Sequence, residues 1–173
     1  SRKSKTQLRM STSNLEVESD PYEVAETIAL LALAPRAKSR GELFAHLKKR
    51  GITDDVANAV LYRLQERGYV NDSEFARAWS ESRQRAKRLS KRVIASELRE
   101  KGVTSEIIEK TLADINDDDE FENARHFAER KLRASARLEQ EVIYRRVHSA
   151  LARKGFSLDL ISRVLRELEI SPR

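Results

Sequence analysis

The sequence contains no cysteine among its 173 residues, and it has little glycine or proline. Without cysteine there is no disulfide and no thiolate chemistry, which fits the reducing cytoplasm in which we expect the protein to act. Five glycines and three prolines provide few tight turns, which disfavours both a many-stranded sheet and a glycine-rich nucleotide-binding loop. The most apolar run, 28–34, spans only about two helical turns, so the sequence predicts no signal peptide and no membrane span.

The sequence also lacks the residue groupings that carry catalysis or bind metal. Its three histidines, His46, His126 and His148, are dispersed and show no His-x-x-x-His spacing, so no zinc site is predicted. The acidic run 117–120 lacks the glycine of a calcium-binding loop and is better explained as the start of a helix. No Ser/His/Asp constellation and no phosphate loop occurs. We therefore predict a protein without enzymatic activity, metal or cofactor.

One pattern, in contrast, is present three times, each time around a glycine. Leucine lies four positions before each glycine, an apolar residue follows the glycine at once, and a hydroxyl residue comes next. The glycines are Gly51, Gly102 and Gly155, preceded by Leu47, Leu98 and Leu151 and followed by Ile52-Thr53, Val103-Thr104 and Phe156-Ser157. Such repetition is typical of repeat proteins, in which function lies in a shaped surface rather than in one pocket.

The first copy of the pattern begins with a predicted amphipathic helix. Asp20 caps this helix, Pro35 ends it, and Val24, Ile28 and Leu31 form its predicted buried stripe.

Two shorter helices complete the first copy. Ser39 and Glu42 form a capping box that begins the second helix, which stops before Gly51 because glycine can adopt the left-handed conformation. Thr53 then caps a third helix that ends near Arg67.

The second copy follows the first at an offset of 51 residues, with Phe75 in the place of Val24 and Trp79 in the place of Ile28. We therefore predict an all-α fold of three tandem three-helix repeats, about nine helices, arranged as an elongated modular array. The predicted divisions are a mobile N-terminal arm, 1–19, and repeats at 20–70, 71–116 and 117–170.

Positive charge is concentrated in one segment of the chain. The net charge is +6, and the segment 83–101, with eight Lys or Arg and two Glu, carries that excess by itself. We predict that these cations contact an anionic partner, nucleic acid or a protein that carries it, although a solvated helix face is the alternative. They are Arg83, Arg85, Lys87, Arg88, Lys91, Arg92, Arg99 and Lys101. Second-rank candidates are Lys48, Lys49 and Arg50, and Arg145, Arg146, Arg153 and Lys154.

The helix–glycine–helix unit resembles a DNA-reading helix-turn-helix, but its charge lies in the wrong place. The third helix of each repeat begins with anionic or apolar residues, such as Asp54, Asp55 and Leu158, where base-reading side chains are required. Sequence-specific readout is therefore not predicted, whereas non-specific attraction of a phosphate backbone by the middle helices stays open.

Three aromatic residues invite an interpretation as a platform for nucleobases. Phe75 and Trp79 lie four apart on a predicted helix, and we predict that they belong to the core. Tyr69 follows a helix end, and its role stays open.

Four stretches of the sequence resemble the RecX family of proteins. They are Glu42-Leu43 to Lys49-Arg50-Gly51, Arg67-Gly68-Tyr69-Val70-Asn71-Asp72, Glu97-Leu98-Arg99-Glu100-Lys101-Gly102-Val103, and Leu151-Ala152-Arg153-Lys154-Gly155-Phe156-Ser157. The resemblance extends over about 22–168. One departure is the loop 88–90, Arg-Leu-Ser, where the family usually has one or two glycines.

The resemblance implies a non-enzymatic regulator of the bacterial RecA recombinase. Such a protein binds the RecA filament on single-stranded DNA, along its groove, and suppresses ATP hydrolysis, strand exchange and stimulated repressor cleavage. We expect a monomer with no cofactor and no membrane contact, and a weak direct contact with DNA stays open. The alternatives are a stand-alone, non-specific nucleic-acid-binding helical repeat protein, and a scaffold whose basic faces only keep it soluble.

Overall fold

The structure, a computed structural model, describes residues 19–173, which form nine α-helices and no strand. The helices are α1 Pro21–Leu33, α2 Arg40–Lys49, α3 Asp54–Glu66, α4 Asp72–Lys87, α5 Lys91–Glu100, α6 Ser105–Ala113, α7 Asp117–Ala134, α8 Gln140–Arg153 and α9 Leu158–Glu167. The prediction of an all-α fold of three three-helix repeats is confirmed. The predicted N-terminal arm lies, except for Ser19, outside the described residues. Across 19–173, each helix is too short or too polar to traverse a lipid bilayer.

Each repeat has a hydrophobic core of its own, so the molecule consists of three modules: α1–α3, α4–α6 and α7–α9. The leucines that lie four positions before the glycines, Leu47, Leu98 and Leu151, are fully buried, one in each core. Burying such a side chain contributes about 2 kcal/mol. The threefold pattern in the sequence is therefore a threefold repetition of the same packing.

Capping groups and glycines fix where the middle helices begin and end. The predicted capping box is present: the Glu42 N–H donates to the Ser39 hydroxyl, and the Ser39 N–H donates to the Glu42 carboxylate, each at 3.1 Å. Gly51, Gly102 and Gly155 all have positive φ, between 75° and 88°. A side chain is strained in this left-handed conformation, which explains why glycine recurs there.

The predicted buried stripe of α1 is wrong. Val24 is 39% exposed and Leu31 is 68% exposed, whereas Ala25 and Ala29 are fully buried and only Ile28 of the predicted three packs against the core. Small side chains on the inner face allow α1 to approach α3 closely, and the larger side chains are directed to the sides and outward. The same small pair recurs in the opening helix of the other modules, as Ala76 and Ser80 and as Ala124 and Ala128.

Ser80 breaks this pattern of small apolar residues. Its hydroxyl is buried and has no hydrogen-bond partner among the described residues, at the position where the other modules have Ala29 and Ala128. A buried polar group without a partner costs about 1–3 kcal/mol. We expect Ser80→Ala to raise the free energy of unfolding by about 1 kcal/mol, measured by urea denaturation. Ser82→Ala, an exposed change on the same helix, controls for helix propensity, and equal effects of the two changes would contradict the prediction.

Modules 1 and 2 are joined by the start of α2 and the turn after α5. The Ser39 hydroxyl donates to the carbonyl of Lys101, and the Lys101 ammonium lies 2.9 Å from the Glu42 carboxylate. Gly41 and Gly102 approach so closely that a Cβ on Gly102 would lie 2.9 Å from the Cα of Gly41. This close backbone contact fixes the angle between the two modules.

Modules 2 and 3 are joined in the same way, by the start of α5 and the turn after α8. The Ser90 N–H donates to the carbonyl of Lys154 at 3.2 Å, and a Cβ on Gly155 would overlap the side chains of Ser90 and Val93. Ser90 stands 51 positions after Ser39, so the serine that caps each of these middle helices also contacts the glycine turn of the following module.

Two neighbouring cations strengthen this second junction. The Lys91 N–H donates to the Glu120 carboxylate and its ammonium to Asp117, while the Arg88 guanidinium donates to the Asn123 amide oxygen at 2.7 Å. Arg88 has a φ of 53°, so it adopts the left-handed conformation. It lies in the loop 88–90, where the family that the sequence resembles usually has glycine. Five residues, from α5, α7 and the loop after α4, thus hold the two modules together.

Candidate functional site

The eight cations of the segment 83–101 divide into two groups of different chemistry. Arg83 lies 2.9 Å from Glu97, Lys91 lies 3.1 Å from Asp117, and Lys101 lies 2.9 Å from Glu42. Together with Arg88, these cations hold helices and modules in place. The other four are exposed and form no ion pair within the described residues: Arg85, Lys87, Arg92 and Arg99.

The Trp79 ring packs against two of the paired cations and holds them in place. The guanidinium of Arg83 lies 4.4 Å and the ammonium of Lys101 lies 4.3 Å from the centroid of the Trp79 ring, whose N–H donates to Glu97 at 2.8 Å. The ring of Phe75 stacks on Trp79 with centroids 5.9 Å apart, and Phe75 is 8% exposed. The prediction that these two rings belong to the core is confirmed, because both pack in the core of module 2.

Tyr69 differs from these two rings, because 52% of its surface is exposed. The guanidinium of Arg67 lies 5.3 Å from the centroid of its ring. Its ring is therefore accessible beside a cation, at the edge of the groove between modules 1 and 2.

Module 3 presents a groove of about 600 Å³ between α7 and α8. Lys131 lines one side, and Arg145, Arg146 and Arg153 line the other, with the hydroxyl of Ser149 between them. No carboxylate lines this groove, and none of its four cations forms an ion pair within the described residues. We name these five residues the module 3 groove.

The periodicity of α8 places three hydrogen-bond donors of the module 3 groove in a row. Arg145, Ser149 and Arg153 follow one another at four-residue intervals along α8, and a rise of about 1.5 Å per residue puts them about 6 Å apart. Such a row suits a ligand with regularly spaced anionic groups better than a single small anion. Lys131 adds a cation from the facing helix. The sequence did not single it out, because Lys131 and its basic neighbours share α7 with six carboxylates.

Like charges also gather around Lys154, next to this groove. Partial burial and the neighbouring cations Lys87, Lys131 and Arg130 lower the pKa of the Lys154 ammonium. Lys87 belongs to module 2 and the other two to module 3, so a cationic surface crosses the junction between these modules. Cations held together without acids repel each other, and an anionic ligand relieves that repulsion.

A smaller cluster of cations lies at the end of α2 in module 1. Lys48 pairs with Asp54 at 2.5 Å, whereas Lys49 and Arg50 are exposed and form no ion pair in the described part. Partial burial, followed by the charges of Arg50, Lys38 and Lys49, lowers the pKa of His46. This lowering indicates that Lys49 and Arg50 lie close to one another around His46.

The fold and these surfaces together define a class of protein: an all-helical protein of tandem three-helix modules that presents unpaired cations from every module. Family models of the first, second and third three-helix domains of RecX match residues 25–64, 71–112 and 117–165. The chain belongs to the RecX family.

Similar proteins cover nearly the whole chain. The Regulatory protein RecX of Streptomyces coelicolor is 40% identical over 148 residues, which are 86% of this chain and 79% of the relative. That of Mycobacterium avium is 38% identical over 144 residues, 83% of either chain. The crystal structure of RecX from Lactobacillus salivarius matches the fold with a TM-score of 0.78 at 22% identity, over 88% of this chain and 99% of that one.

Proposed function

We propose that this RecX-family protein is a negative regulator of RecA that binds the RecA filament on single-stranded DNA. Bound along the filament groove, it inhibits ATP hydrolysis, strand exchange and stimulated repressor cleavage, and it has no enzymatic activity of its own. The observation that carries this proposal is the presence, in all three modules of a RecX-family fold, of exposed cations without an acidic partner. A filament that holds DNA is an anionic track, and such cations are attracted to it over a long range.

Among the cations predicted from the sequence, we propose as contact residues those whose side chains bind neither a carboxylate nor an amide within the described residues. Paired cations have already lost much of their attraction for an external anion, so they act by fixing the modules. The proposed contact residues are Arg85, Lys87, Arg92 and Arg99, Lys49 and Arg50, and Arg145, Arg146, Arg153 and Lys154. The paired residues Lys48, Arg83, Arg88, Lys91 and Lys101 support them.

The modular fold explains how weak contacts add up to useful affinity. Three modules joined by close junctions hold their cations at fixed separations, so that one module that has bound places the others at high effective concentration near the next site. A helical polymer offers the same site repeatedly along its length. Binding well below one chain per RecA subunit is therefore expected.

A direct contact with nucleic acid is the second candidate function, and the module 3 groove favours it. Four cations without a carboxylate, aligned with a hydroxyl, match the phosphate backbone of a nucleic acid without reading its bases. In this candidate the protein binds single strands in the absence of RecA.

ATP hydrolysis by RecA on single-stranded DNA distinguishes the two functions. Loss of hydrolysis when the chain is present well below one copy per RecA, with little affinity for naked DNA, is the result that the regulator predicts. If the chain binds naked DNA as tightly as it binds the filament and does not affect hydrolysis, the nucleic-acid-binding function is supported and the regulator is contradicted.

Neutralising the module 3 groove tests whether its cations take part. We expect the double variant Arg145→Gln, Arg153→Gln to weaken filament inhibition and to flatten its dependence on salt. Each lost phosphate contact lowers the slope of log affinity against log salt by about 0.7. The inhibition constant is measured by RecA ATP hydrolysis between low and physiological salt.

The matched control is Lys110→Gln, Arg166→Gln, which removes the same charge from exposed positions outside the groove. It should keep both the inhibition and the salt slope of the unchanged protein. If the groove variant and this control have the same slope, the groove does not contact the anion.

A further inference from the structure

Two of the three glycine turns are occupied by a neighbouring module, and the third is open. The turn at Gly102 contacts the start of α2, and the turn at Gly155 contacts the start of α5. The equivalent turn at Gly51, in module 1, has no module packed against it among the described residues, and a Cβ placed on Gly51 would meet none of their atoms within 4 Å. Module 1 therefore carries a copy of the surface that binds a helix start in the other modules, without an occupant among the described residues.

The junction between modules 1 and 2 displays the ligand that such a turn binds. That ligand is the first turn of a helix with the capping-box sequence Ser-x-x-Glu. The serine hydroxyl donates to the carbonyl of the residue before the glycine, and the glutamate pairs with the cationic side chain of that same residue, Lys101. Gly41, between the serine and the glutamate, lets the two backbones come into contact.

The open turn has the same chemical groups. Arg50 precedes Gly51 as Lys101 precedes Gly102, so a backbone carbonyl and a cation are again adjacent. Both Arg50 and Lys49 are exposed and form no ion pair within residues 19–173. The acids closest in sequence are Asp54, which pairs with Lys48, and Asp55, in the first turn of α3.

The middle helices of a second copy of this chain do not supply the matching helix start. The Ser39 and Ser90 starts are engaged within the molecule, and the remaining middle helix, α8, has a different one. It begins at Gln140, one turn earlier relative to its glycine than α2 and α5, and its cap, Glu139, makes no side-chain capping bond. No helix start within residues 19–173 is therefore available, and Ser13-Asn14-Leu15-Glu16, which has the same Ser-x-x-Glu spacing, lies outside the described residues. The test below separates a helix of another protein from that segment.

We infer that the Arg50–Gly51 turn of module 1 is a docking surface for a helix of the partner protein, whose first turn carries Ser or Thr at the cap and a carboxylate three residues later. The partner's hydroxyl donates to the Arg50 carbonyl, and its carboxylate pairs with the Arg50 guanidinium. The inference rests on the proposed function, since the partner that carries this helix is the RecA filament. A filament helix docked on this turn occupies the position that the preceding module occupies on the Gly102 and Gly155 turns.

A pair of glycine substitutions tests this inference with a close structural match. Gly51 and Gly68 both end a helix, have φ of 80° and 79°, and have no atom within 4 Å of a Cβ position. Asparagine tolerates left-handed backbone better than other residues with a side chain, so Gly51→Asn and Gly68→Asn should cost similar stability. Only the side chain added at 51 would lie between module 1 and a docked helix.

We expect Gly51→Asn to weaken inhibition of RecA ATP hydrolysis on single-stranded DNA at least tenfold, and Gly68→Asn to leave it within about twofold. Thermal unfolding of both variants checks that their melting temperatures are equally shifted. Arg50→Glu should reproduce the loss, and Arg50→Lys should restore most of the inhibition because it keeps the cation.

Four results would overturn the inference. If deleting residues 1–18 weakens inhibition as much as Gly51→Asn, and the two changes together cost no more than either alone, the occupant is a segment of this chain. If Gly51→Asn inhibits as well as Gly68→Asn while the unchanged protein is active, the turn does not dock a partner, and the regulatory function stands. If Gly51→Asn loses affinity for a naked oligonucleotide as strongly as for the filament, the turn contacts nucleic acid instead. If sedimentation shows self-association that Gly51→Asn abolishes, the occupant is a second copy. An unchanged protein that fails to act on RecA refutes the proposed function itself.

Discussion

Replacing Gly41 by alanine is expected to lower the free energy of unfolding by about 3 kcal/mol, although alanine is the better helix former. Gly41 lies in the first turn of α2, where alanine would ordinarily favour the helix by about 1 kcal/mol. A Cβ on Gly41 would, however, lie 2.7 Å from the carbonyl oxygen of Lys101 and 2.8 Å from the Cα of Gly102. Both are backbone atoms, so no side chain can rotate away and modules 1 and 2 must separate.

Urea denaturation measures this effect, and Arg92→Ala is its matched control. Arg92 lies ten residues before Gly102, as Gly41 lies ten before Gly51, but it is exposed. The control should change the free energy of unfolding by no more than about 0.5 kcal/mol. A Gly41→Ala protein as stable as the unchanged one would mean that the contact between Gly41 and Gly102 does not hold the modules together.

The repeated fold could be predicted because its strongest signals are local. A helix that ends at a left-handed residue favours glycine there, and the leucine four positions earlier lies on the face that packs into the core. Those requirements recur at Gly51, Gly102 and Gly155 whatever the rest of the chain does. A repeated pattern of this kind can therefore be recognised from one sequence alone.

The buried face of α1 could not be predicted from large apolar side chains alone. Val24 and Leu31 are consistent in spacing with a buried stripe, yet the helix approaches α3 through Ala25 and Ala29. Alanine is compatible with almost any helical position, so it carries little signal on its own. The recurring small pair in α1, α4 and α7 was the available clue, and it becomes visible only when the three opening helices are aligned by these pairs.

The candidate site was predicted only in part, because a sequence shows charges but not their distant partners. Glu42 pairs with Lys101 across 59 residues, and Asp117 pairs with Lys91 across 26. The local excess of charge in 83–101 is therefore larger in the sequence than on the folded surface. Arg145, Arg146 and Arg153, second-rank candidates from the sequence, keep their charge in the module 3 groove because no acid among the described residues packs against them.

The pH dependence of stability should change most when Glu42 is replaced by glutamine. Burial opposes ionisation of this carboxyl, but hydrogen bonds from Arg36, Lys101 and the Ser39 N–H outweigh that effect and lower its pKa from 4.5 to about 2. A shift of this size corresponds to about 3 kcal/mol of preference for the folded state. Because the Glu42 side chain is only 16% exposed, solvent screens this interaction little.

The sign of the effect follows from the lowered pKa. The carboxylate stabilises the folded protein fully above the unfolded pKa near 4.5, and this contribution is lost as the pH falls toward 2. We therefore expect Glu42→Gln to cost about 2 kcal/mol at pH 7, since the amide keeps one acceptor, and less than half of that at pH 3. Glu100→Gln, an exposed change with no ion pair in the described part of the chain, should have a small effect at both pH values. Urea denaturation at the two pH values measures the difference, and a Glu42→Gln effect that stays constant with pH would show that this carboxylate does not hold modules 1 and 2 together through its charge.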